Sequence, residues 1–160
     1  MKAKLPNSVV VPAALAGVAV AAVVAVLGAT LQDYLTAGNI PDLHWLVFFI
    51  PLWIFACIVF LLGFLFLGIP AWFAAHYFHR THWYDGAVIG AVLAAVSVFL
   101  FTLPTGTASA SVGGFDLVVN GHFTPKGWMN ALELTGIMAA AGATGGMVIW
   151  RMAYRNQEMS

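Results

Sequence analysis

The chain has 160 residues, of which 62% are hydrophobic and 8% are Asp, Glu, Lys or Arg, against roughly 25% charged residues in an average soluble domain. Six basic and six acidic residues balance, so no basic surface exists to hold phosphates and nucleic-acid binding is excluded. The single cysteine, Cys57, rules out an intrachain disulfide, a CxxC redox or zinc pair, and a four-helix thiol oxidoreductase.

A helix rising 1.5 Å per residue needs about 20 apolar residues to cross a hydrocarbon core about 30 Å thick. Four stretches meet that requirement, so the expectation is an all-α membrane protein: one integral domain over residues 1–160 with four transmembrane helices. Val9 to Leu31 is uncharged throughout. It follows Lys2 and Lys4 but exceeds the 7 to 15 apolar residues of a signal peptide, so it reads as a retained span. Ala13, Gly17, Ala21, Ala25 and Ala29 recur at four-residue intervals and form a shallow stripe on which another helix can pack closely.

A short loop, Gln32 to His44, leads to the second span, Trp45 to Ile69, where Pro51 should kink the outer end. Trp53, Phe55, Phe60, Phe64 and Phe66 make this span bulky, with few small residues. More of its surface should face lipid or a partner protein.

The next segment, Pro70 to Asp85, reads PAWFAAHYFHRTHWYD. His76, His79, His82 and Asp85 recur every third residue, which aligns them on a 3₁₀-like turn but brings only neighbouring pairs together on an α-helix. Two imidazoles three apart with a carboxylate suit a metal ion. The simpler account is that histidine, arginine and tryptophan populate membrane boundaries. A transmembrane haem would need two histidines facing each other at one depth on different helices, yet none of the five lies in mid-span. No cofactor is implied.

The third span, Gly86 to Leu103, repeats the small-residue pattern with Gly86, Gly90 and Ala94. Pro104 to Asn130 is a longer loop that begins with turn and coil composition, Thr105 to Ser111. Within it Asn120-Gly121, flanked by Asp116 to Val119 and His122 to Thr124, signals a type I′ turn and hence a small β-hairpin in the second outer loop. An isolated hairpin is marginal in water, so it should rest on the helix ends.

The fourth span, Ala131 to Trp150, contains a GxxxG at Gly142 and Gly146 beside Ala139, Ala143 and Gly145. Glu133, three residues inside it, is a candidate ion or ligand site because intramembrane carboxylates are costly. At that depth it can equally snorkel to the interface, meet Lys126 or complement the positive helix end. Arg151 and Arg155 follow the span and suit the negative end of its dipole.

Positive flanks are retained in the cytoplasm. Lys2, Lys4, Arg80, Arg151 and Arg155 share one side, leaving only Lys126 on the other, so both termini should be cytoplasmic. Trp45, Trp83, Trp128 and Trp150 fall at span ends, where amphipathic rings favour the interface.

Leu67 to Trp72 with the following basic stretch and Asp85 to Gly90, together with Val118 to Gly121, Thr124, Gly127-Trp128 and Gly145 to Arg151, resemble a diffuse group of small four-span bacterial membrane proteins of unknown function. The resemblance covers about the last 95 residues. It implies the cell inner membrane and no assigned activity.

Three functions compete. The packing stripes and bulky second span favour a non-catalytic component, an accessory, assembly or regulatory subunit of a membrane complex or a homo-oligomer, whose partners are the bilayer and another membrane protein or a second copy. A transporter or channel subunit would use Glu133. A metal-dependent or redox membrane enzyme would use His76, His79, His82 and Asp85.

Overall fold

The computed structural model describes residues 7–37, 44–78, 82–104, 109–112 and 115–154. Its helices are α1 (Asn7–Ala37), α2 (His44–Gly63), α3 (Ile69–Tyr77), α4 (Trp83–Thr102) and α5 (Pro125–Tyr154), with a π-helical turn (Phe64–Gly68) joining α2 to α3. Three short strands, β1 (Ala110–Val112), β2 (Phe115–Val119) and β3 (His122–Phe123), form an antiparallel sheet in sequence order. Among the described residues, four segments are long and apolar enough to cross a membrane: Val11–Gln32, Phe49–Tyr77, Trp83–Thr102 and Pro125–Tyr154.

The helix α5 is the centre of the bundle, with α4 and α1 packed against it and α2 packed on α1. Small residues make this possible. Added Cβ atoms at Gly90 and Gly142 would each overlap the other's carbonyl, and one at Gly86 would stand 2.7 Å from the Gly146 carbonyl oxygen. Across the other seam, a Cβ at Gly17 would lie 2.7 Å from the Gly145 carbonyl oxygen, and one at Gly145 would lie 2.9 Å from the Ala21 methyl. Backbone meets backbone along both seams, so dispersion contacts replace the large interlocking side chains of a soluble core. Most of the deeply buried apolar side chains are accordingly alanines: Ala13, Ala21, Ala22, Ala25, Ala131 and Ala141 are all 3% exposed or less, a level that only Val26 and Tyr154 share among the described residues.

The second apolar segment extends past the boundary expected from its sequence. Instead of ending at Ile69, the helix passes through Pro70 to Tyr77. Proline offers no N–H and its ring pushes away the carbonyl four residues back. The chain accommodates this by widening the turn immediately before it, where the Ile69 N–H reaches the Phe64 carbonyl five residues earlier.

The fourth apolar helix starts six residues before the expected Ala131, at Pro125. Proline is at home in a first helical turn, and Thr124 caps it: the Gly127 N–H donates to Thr124 Oγ1 at 3.0 Å. The same hydroxyl donates to the Asp116 carbonyl at 2.7 Å, and the Thr124 N–H donates to the Leu117 carbonyl at 3.0 Å. One residue thus ties the sheet to the helix. Gly127 sits so close beneath the Leu117 carbonyl that a side chain would overlap it.

The hairpin turn has positive φ at Asn120 (50°) and Gly121 (77°), as a type I′ turn requires. The coil expected at Thr105 to Ser111 is corrected at its end. Ala110 and Ser111 enter β1, pairing with Val118 and Asp116, because the hairpin's free edge offers unpaired backbone groups that a neighbouring segment can satisfy. Thr124→Ala should cost about 1 kcal/mol, read as a lower unfolding midpoint in detergent with bundle helicity retained.

Candidate functional site

Packing three helices by their glycine seams and setting α2 on α1 leaves a groove between α2 and α4. Its back is made by α1 (Gly17, Ala21, Ala25) and α5 (Met138, Gly142, Ile149), and its rims by α2 (Ala56, Gly63) and α4 (Leu93, Ala94). The cavity volume is about 400 Å³, within the range of about 300–1,000 Å³ typical of small-molecule sites. Lining residues on α1 run from Gly17 to Ala29, a rise of about 18 Å. Apart from Trp150 and Ser97, every lining side chain is wholly apolar.

At the end away from the sheet, the groove is lined by Trp150 and Gly86. Behind Trp150 lies an aromatic cluster of Trp72, Trp150 and Tyr154 with Ala75 and Ala153. Trp72 meets Trp150 edge to face at 6.5 Å between ring centroids. Tyr154 is 3% exposed; its hydroxyl accepts from Trp72 Nε1 at 3.1 Å and lies 3.1 Å from His76 Nδ1. An indole N–H can only donate, so the Tyr154 oxygen accepts from Trp72, and the direction of its contact with His76 Nδ1 follows the imidazole tautomer. The network fastens α3 to the last turn of α5.

The described residues of the histidine segment have separate neighbours. His76 turns to Tyr154, while Asp85 Oδ2 accepts from the His82 backbone N–H at 3.3 Å, closing the first turn of α4. The His82 ring stacks on Tyr84 at 5.1 Å. His79 lies outside the described residues, and among the described residues no three His, Cys, Asp or Glu side chains gather as metal ligands do.

At the sheet end, Glu133 Oε2 accepts from Gln32 Nε2 at 2.8 Å, and the same amide reaches Asn130 Oδ1 at 3.4 Å. This exposed link joins the end of α1 to α5. Lys126, the cation the sequence offers to Glu133, instead sits over the Phe115 ring, 3.0 Å from its centroid. Glu133→Gln keeps an oxygen acceptor for Gln32, so it should shift stability by less than about 1 kcal/mol; thermal unfolding in detergent measures it. Deeper polar groups are satisfied within their own helices: Thr30, Thr135 and Thr144 each donate to a carbonyl one turn back.

Trp72, Tyr154, Gln32 and Thr124 escaped the sequence reading. For Thr124 the Thr-Pro pair ahead of an apolar run is a helix-start signal; the other three depend on which helices become neighbours, which one sequence does not state. Compared with known proteins, the chain matches no family model, no curated protein and no solved structure.

Proposed function

We propose that this chain is a non-catalytic component of a bacterial inner membrane, spanning it four times with both termini in the cytoplasm, and that it serves as an accessory, assembly or regulatory subunit of a larger membrane complex or as a homo-oligomer. The observation that carries this reading is the exposure of the second apolar segment. None of the residues in the most apolar window of Phe49–Tyr77 is buried, against 39% for Val11–Gln32.

Phe55, Phe66 and Phe73 are each more than 60% exposed, so the surface on offer is bulky, aromatic and continuous with the groove. Lipid can cover such a face, but association between spans depends on packing contacts, and a large contoured surface supplies them. The glycine seams hold the other three helices together and leave this side available. The span order and the distribution of Lys and Arg support the cytoplasmic placement of the termini.

Purification in mild detergent tests the reading. The expected result is a particle heavier than one chain with its detergent, containing either a second membrane protein identified by mass spectrometry or further copies of this chain. A lone monomer under every gentle condition would overturn it.

A further inference from the structure

The proposed role leaves the groove between α2 and α4 without an occupant. We propose that it holds one hydrocarbon chain of a phosphate-bearing membrane lipid, the tail lying along Gly63, Ala94 and Met138 and the head at the Trp150–Arg151 end; this rests on the multi-pass reading above.

Three observations select that occupant. The lining belongs to segments apolar enough to span a membrane, and a pocket with so few polar groups cannot supply the two to four partners that a held water needs. A volume of about 400 Å³ drawn out over about 18 Å is narrower than a helix with its side chains, about 10–12 Å across. It suits a single hydrocarbon chain better than a partner's span.

Charge then orients the molecule. Trp150 lines one end of the groove, and the exposed Arg151, next in the chain, stands one residue beyond that lining. Five of the six Lys and Arg residues flank the apolar segments on that side in sequence, which favours an anionic head there. Asp85, the carboxylate in the adjacent first turn of α4, already accepts from the His82 N–H.

Two glycines give a matched test, because a Cβ at either Gly63 or Gly136 would meet nothing within 4 Å, yet only Gly63 lines the groove. The isolated chain in detergent would be titrated with phosphatidylglycerol carrying a diazirine in its acyl chain, then irradiated and mapped by peptide mass spectrometry. Labelling should saturate near one lipid per chain, on Leu93, Ala94 or Met138. Gly63→Phe should lower it by about tenfold or more, Gly136→Phe should leave it unchanged, and Ala56→Trp should repeat the loss from about two turns earlier on the same rim of α2. Phosphatidylcholine with the same tail should label several-fold less, and Arg151→Ala should erase that preference. Equal labelling of Gly63→Phe and wild type, label confined to the outward residues Val92 and Val96, or no headgroup preference would overturn the proposal. Because the probe is added to the isolated chain, a failure here is distinct from a failure to find a partner protein.

Discussion

Replacing Gly90 with leucine should break the bundle at its centre, lowering stability by about 3 kcal/mol or more, while the same replacement at Gly136 leaves stability within about 1 kcal/mol of wild type. Gly90 faces the Gly142 backbone with no space for a Cβ, whereas a Cβ at Gly136 meets nothing. A leucine at Gly90 must therefore push α4 away from α5. That movement would also disturb the neighbouring approach of Gly86 to Gly146, since both pairs lie along one seam. Gly90→Ala should give an intermediate loss, because the helix propensity gained, about 1 kcal/mol, opposes overlap with a backbone carbonyl that has no rotamer to escape into. Unfolding in increasing fractions of denaturing detergent, followed by loss of helicity, separates the variants. Equal midpoints for Gly90→Leu and Gly136→Leu would refute the seam.

Tyr154→Phe should cost about 1–3 kcal/mol, a large effect for removing one oxygen. That oxygen accepts from Trp72 and faces His76 Nδ1, so its loss strips partners from two polar groups in a cluster that is otherwise apolar. The phenylalanine ring still fills the space beside Trp150, which confines the loss to hydrogen bonding. Because α3 is joined to α2 through the widened π-turn, its attachment to α5 depends on this cluster. The expected signature is local: altered Trp72 fluorescence and faster proteolysis after Tyr77, with the α4–α5 seam intact. Unchanged fluorescence and proteolysis in the Tyr154→Phe variant would show that packing alone holds α3.

Much of the bundle can be read from residue spacing. Glycines four apart fall on one helix face, and Gly86, Gly90, Gly142 and Gly146 are where α4 and α5 meet; Gly17, Ala21 and Gly145 do the same for α1 and α5. The Asn120-Gly121 pair likewise specifies its turn, because both residues tolerate the positive φ that a type I′ hairpin turn requires. Less legible were features that arise between segments. The strand at Ala110–Val112 has coil composition and exists because β2 offers an edge. The passage of the helix through Pro70 needs a π-turn that no pattern announces. The histidine periodicity of three suggested a common site; among the described residues His76 lies against Tyr154 of α5 and His82 stands at the start of α4, while His79 is outside them. The groove was hidden for the same reason, since its walls come from four helices and its presence depends on α2 packing against α1 instead of closing onto α4.

The most direct test of the account combines membrane retention with the sidedness of the two ends. After alkaline carbonate washing, a chain tagged at both termini should remain in the membrane pellet. In sealed right-side-out vesicles both tags should resist added protease, and in inverted vesicles both should be cleaved. Release by carbonate, or one tag cleaved and the other protected in the same vesicles, would contradict a chain that crosses the membrane four times.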